Sequence, residues 1–194
     1  MPAFTISPEH TRSGGDPRRV AIILPGGYYT PAGPLLHYAH AVLRRHGWTV
    51  QELWWDTQDW PGDRDGRANQ VCAYATWALD RESGECLIVG KSLGTFAIEV
   101  AADRGLPGIW LTPLLDEARV TAALDRATAG PTLLVGGTAD TLWDGDMARR
   151  SGTEVLEIAD ADHAMETDAS PVDSIDMLRQ VVVAIDAFVA RLNG

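Results

Sequence analysis

A chain of 194 residues, 45% of them hydrophobic, is long enough for one domain with a sizeable core, and its net charge of −11 argues against nucleic acid or an anionic membrane surface as a partner. Two cysteines without metal-ligand spacing exclude a disulfide scaffold and leave no thiolate metal site. No apolar run reaches the length of a membrane span, and residues 1–11 lack the charged-then-apolar pattern of a secretion signal. The expectation is a single domain over 1–194, soluble and cytoplasmic, with oligomeric state left open.

Residues 3–7 alternate and fit a short first strand. Residues 8–17 hold Pro8, Gly14, Gly15, Asp16 and Pro17 and read as turn or loop. Residues 20–24 are continuously apolar, which suits a strand covered on both faces. Pro25-Gly26-Gly27-Tyr28-Tyr29 follows at once, and glycines there let the backbone approach a ligand. Residues 34–46 are helical, with Leu35, Leu36, Ala39, Val42 and Leu43 on one face and Gly47 as the stop. His46 suits the helix C-terminus, and His37 and His40 read as solvated or packed. Residues 48–55 form the next strand, residues 56–66 a polar loop, and residues 71–79 a helix that carries Cys72. Cys72 and Cys86 both read as buried small apolar residues.

Residues 85–89 are a strand that ends in Gly90-Lys91-Ser92-Leu93-Gly94, and residues 96–103 read as helix. A serine at so tight a strand-to-helix turn is forced into a strained backbone conformation, and glycine two positions to either side removes the collisions a Cβ would make. The turn lifts the Ser92 hydroxyl above the sheet and brings the Leu93 amide to the same spot, at a helix N-terminus. A phosphate-binding loop would need glycine at position 85, where Glu85 stands.

Residues 106–111 form a short strand that ends at Thr112-Pro113. A modest helix over 115–127 and a strand over 131–135 follow, the latter running into Gly136-Gly137-Thr138-Ala139-Asp140. Residues 144–150 suit a helix and 154–158 a strand. Asp160-Ala161-Asp162-His163 is a loop, and residues 172–192 are a long closing helix. Strands alternating with helices predict an α/β doubly wound, mostly parallel sheet.

Ser92, Asp140 and His163 each stand just past a predicted strand, in the order nucleophile, acid, histidine. A serine hydroxyl needs a neutral imidazole to take its proton, and His163 is the one histidine C-terminal to Ser92. A carboxylate must hold that ring in the correct tautomer. Asp140 is the first candidate and Asp144 the second; Asp160 and Asp162 read as turn residues that cap local amides.

With these motifs in view, the chain resembles the α/β-hydrolase-fold serine hydrolases, in particular their small lidless members. The likeness rests on Pro25-Gly26-Gly27, Gly90-Lys91-Ser92-Leu93-Gly94, Gly137-Thr138-Ala139-Asp140 and Asp162-His163, and covers residues 20–192. It implies a reduced sheet, because one strand precedes Val20 where the full fold has two. It also implies no cap domain, because residues 112–131 have room for one helix. The resemblance implies Ser92, Asp140 and His163 as catalytic residues, with Leu93 and either Gly27 or Tyr28 giving oxyanion-hole amides. Tyr29, Thr112, Pro113, Leu114, Trp143 and Met165 are candidates to line the pocket. The implied activity is hydrolysis of small soluble acyl esters with no metal or cofactor. The alternatives are thioesterase, amidase or acyltransferase chemistry at the same residues, or a binding module that has lost turnover.

Overall fold

The computed structural model describes residues 8–127 and 130–192. Its elements, in chain order, are β1 (Glu9–Ser13), β2 (Asp16–Leu24), α1 (Pro34–Arg45), β3 (Trp48–Trp54), α2 (Arg64–Leu79) and β4 (Glu85–Lys91). A 3₁₀ turn over Ser92–Ala97 then leads into α3 (Ile98–Arg104). The chain continues with β5 (Gly108–Leu111), α4 (Ala118–Arg126), β6 (Thr132–Gly137), α5 (Gly145–Arg150), β7 (Glu154–Ile158) and α6 (Pro171–Leu192). The strands form one sheet in the order β1-β3-β2-β4-β5-β6-β7, parallel throughout except for β1 against β3.

Alternate residues of the central strands feed two separate cores. Ala21, Ile23, Leu87, Val89, Ile109, Leu111, Leu133 and Val135 pack under α1 and α6. Val20, Ile22, Leu24, Ile88, Trp110 and Leu134 pack under α2, α3 and α4. Both faces are covered, so these strands read as unbroken apolar runs. Between β5 and β6 the described residues form one helix, α4, and no cap. No described helix is long and apolar enough to cross a membrane.

The structure corrects several boundaries. The strand expected at residues 3–7 lies outside the described residues, and the segment read as loop contains β1. That strand is exposed and charged, an edge strand with no apolar pattern to betray it. It is held by backbone pairing to β3 and by side-chain bonds such as Thr11 Oγ1 to Glu52, at 2.8 Å. The next strand begins at Asp16, with its register slipping between Asp16 and Val20 around Pro17. The second helix begins seven residues earlier than its apolar pattern suggested, because Asp63 caps it by accepting the Gly66 amide at 2.7 Å. His46 ends α1 as expected, and its Nε2 lies 2.9 Å from Asp186. Cys86 is buried and Cys72 half-buried, both as free thiols; burial pushes the Cys72 thiol up to about 12 and raises that of Cys86.

Candidate active site

β4 delivers Ser92 at the C-terminal edge of the sheet, with φ at 51°. That left-handed conformation is uncommon for a non-glycine residue and persists only where its surroundings enforce it. The two motif glycines are part of that enforcement. A Cβ on Gly90 would come within 2.7 Å of the Gly94 carbonyl oxygen, and one on Gly94 would overlap the Leu24 carbonyl oxygen. The turn beyond is a 3₁₀ segment over Ser92–Ala97, so the helix expected over 96–103 becomes α-helical from Ile98, and Thr95 Oγ1 donates to the Ser92 carbonyl at 2.5 Å.

Three loops bring the remaining residues to Ser92. Asp140 follows β6, and its carboxylate is almost wholly buried. One oxygen accepts the Leu142 amide at 2.9 Å and the other lies 2.7 Å from His163 Nδ1. His163 Nε2 lies 2.8 Å from Ser92 Oγ. An ionised carboxylate can only accept, so Nδ1 carries the proton and Nε2 is left as the acceptor of the serine hydroxyl. The geometry can therefore draw a proton from Ser92 onto a neutral imidazole whose cation would sit beside a buried carboxylate. Asp144, the second candidate, is committed elsewhere: its Oδ1 caps α5 by accepting the Met147 amide at 2.9 Å. Asp162 caps its own turn, its Oδ1 accepting the Ala164 and Glu166 amides at 2.7 and 3.0 Å. Asp160 is a turn residue with φ at 59°.

The loop after β2 lies against the serine. A Cβ on Gly26 would stand 3.4 Å from Ser92 Cβ, and one on Gly27 would stand 3.7 Å from a Leu93 methyl. Trp55 Nε1 donates to the Gly26 carbonyl at 3.0 Å, and Thr57 Oγ1 donates to the Gly27 carbonyl at 3.1 Å. A trans peptide points its N–H opposite its carbonyl, so the Gly27 and Tyr28 amides face away from Trp55 and Thr57. Sequence reasoning missed this role of Trp55 and Thr57, which no motif marks.

A cavity of about 480 Å³ opens in front of Ser92, lined in part by Gly27, Tyr28, Tyr29, Leu93, Leu114 and His163. Four pocket candidates stand elsewhere. Thr112, with φ at 45°, is buried and accepts a hydrogen bond from Lys91. Pro113 is buried beside it. Trp143 lies over Gly136, where a Cβ would strike its ring, and donates through Nε1 to Glu157 at 2.7 Å. Met165 is buried behind the His163 turn and faces a neighbouring cavity of about 330 Å³ that shares Tyr29 and Ala164 with the first.

The largest omission of the sequence reading is Lys91. The residue is 3% exposed, and burial lowers its ammonium to about 8, with Asp140 and Asp162 pulling upward. Folding thus penalises the charged form: stability withheld below pH 8 returns as the pH climbs toward the unfolded value of 10.5.

No family model and no curated protein matches the chain. Solved structures do. An Agrobacterium tumefaciens protein of unknown function, assigned to the α/β hydrolases, matches with a TM-score of 0.71 at 14% identity, over 96% of this chain and 92% of its own. A lidless α/β serine hydrolase from Xanthomonas campestris matches with a TM-score of 0.67 at 18% identity, over 94% and 88%. Est1E from Butyrivibrio proteoclasticus, with ferulic acid bound, matches with a TM-score of 0.71 at 14% identity, over 94% of both chains. At these identities the likeness is one of architecture, and it agrees with the strand order and the uncapped sheet edge described above. This chain has the α/β-hydrolase fold, with no cap among the described residues.

Proposed function

We propose that the chain is a serine hydrolase that cleaves small acyl esters through an acyl-enzyme intermediate. One observation carries the reading: Ser92 Oγ, the His163 ring and the Asp140 carboxylate form an unbroken hydrogen-bonded series of 2.8 and 2.7 Å, with Ser92 and His163 lining a cavity. The lidless serine hydrolase among the structural neighbours supports it. So does the open sheet edge, which gives a small ester direct access to the serine.

In this reading Ser92 Oγ adds to the ester carbonyl while its proton passes to His163 Nε2. Asp140 keeps the proton on Nδ1 and stabilises the imidazolium. The amides of Leu93 and of Gly27 or Tyr28 hold the oxyanion. As the tetrahedral intermediate collapses, the leaving alkoxide takes the proton from Nε2. Water then adds to the acyl-enzyme and gives a proton to Nε2, and as the second tetrahedral intermediate collapses Nε2 returns that proton to Ser92 Oγ, freeing the serine and the acid.

A panel of short-chain aryl esters, thioesters and amides tests the proposal. Purified protein should hydrolyse the esters fastest, and Ser92→Ala should lose about 10³-fold or more in kcat while keeping its thermal midpoint. Ester turnover that survives in Ser92→Ala overturns it.

A further inference from the structure

Lys91 ends β4 and occupies the second position of the Gly90-Lys91-Ser92-Leu93-Gly94 motif. Its ammonium reaches three loops from three different strands. Nζ donates to Thr112 Oγ1, after β5, at 3.2 Å. It donates to the main-chain oxygen of His163, after β7, at 3.0 Å. It also lies 4.8 Å from the centre of the Tyr29 ring, after β2. An ammonium has three N–H groups and no lone pair, and it meets two oxygen acceptors and one electron-rich ring face. His163 stands in a turn, outside helix and strand.

We propose that Lys91 is a positioning residue whose ammonium, tied to the His163 carbonyl, the Thr112 hydroxyl and the Tyr29 ring, holds the His163 imidazole in register with Ser92 Oγ. The inference rests on the hydrolase reading above. A buried cation is costly, and methionine of similar length would pack the site without that cost. The contacts give the charge its purpose: no uncharged side chain of this reach supplies three N–H groups from one atom.

The charge state of Lys91 then enters the reaction. The charged and titratable groups around it are Tyr29 from the β2 loop, Asp140 from the β6 loop, and Asp162 and His163 from the β7 loop. Arg64 and Arg67 of α2 line the same cavity. Burial sets the ammonium near 8. Below that pH all three N–H groups are present. Above it the neutral amine has two, so one of the three partners faces a lone pair and the hold on His163 loosens. Reactivity of Ser92 should therefore decline as the pH rises through about 8.

The test is the pH dependence, from pH 6 to 10, of the rate at which an organophosphonate ester inactivates the protein, measured for wild type, Lys91→Met and Thr112→Val. Wild type should show an alkaline limb with a midpoint near 8. Lys91→Met should lose the limb and react about 10- to 100-fold more slowly at pH 7, with probe affinity changed less than about threefold. Thr112→Val removes an acceptor of the charged form while keeping the side-chain shape, and should move the midpoint down by about half a pH unit. A limb that persists unchanged in Lys91→Met overturns the inference, as does a Lys91→Met protein that loses thermal stability but not reactivity. Should Lys91→Met fail to fold, Thr112→Val decides: a shifted midpoint supports the inference and an unshifted one overturns it. A folded wild type that the probe never labels overturns the hydrolase reading itself, and this inference with it.

Discussion

At the scale of single residues, the site depends on which carboxylate the imidazole meets. Asp140 is buried with both oxygens engaged, one by a backbone amide and one by the His163 ring. Asparagine at 140 keeps the shape but can present an N–H to Nδ1, which favours the wrong tautomer. Asp140→Asn should lower ester turnover by about 10³- to 10⁴-fold with little change in thermal midpoint. Asp144→Asn keeps a capping oxygen at α5 and should leave turnover within about twofold. Steady-state rates and melting curves on the two variants check this; the reverse pattern would move the acid to Asp144. Asp140 was readable in the sequence because it follows a strand and a pair of glycines. Lys91 was not: a motif's variable position says nothing about whether its side chain is buried. Only the meeting of three loops, each from a different strand, makes it part of the site.

At the scale of elements, the platform is the set of strand ends. β4 supplies Ser92, β2 the loop beside it, β5 Thr112, β6 Asp140 and β7 the turn that carries His163. The packing at the serine turn leaves no room for a side chain at residue 94, whose Cβ would strike the Leu24 carbonyl at the end of β2. Gly94→Ala should therefore destabilise the fold by about 1–3 kcal/mol or more, and should cost activity even where folded protein is recovered. Urea denaturation measures the first effect and esterase rate the second; an alanine accepted at wild-type stability would contradict the packing described. The central strands were legible because both faces are buried and their sequences are unbroken apolar runs. β1 was hidden because an edge strand is stabilised by backbone pairing and polar cross-strand contacts, which leave no hydrophobic period. α2 was read short because its first turn is polar and its start is set by the Asp63 cap. Trp143 and Met165 follow strand ends as a pocket residue would, yet the space over Gly136 takes one and the core under α6 takes the other.

At the scale of the whole molecule, the sheet divides two cores and leaves one edge for chemistry. Residues 92, 140 and 163 are far apart in the chain, and parallel strands with crossovers on both faces bring all three to that edge. The sequence order of these residues carried the arrangement; the distances among them required the fold. On the proposed reading, this convergence activates one hydroxyl out of all those in the chain. Reaction with an organophosphonate ester, followed by intact-mass measurement and tryptic mapping, tests it most directly. Wild type should carry a single adduct, located on Ser92 within the peptide of residues 92–104, and His163→Ala should carry none. An adduct elsewhere, or none on folded wild-type protein, would contradict it.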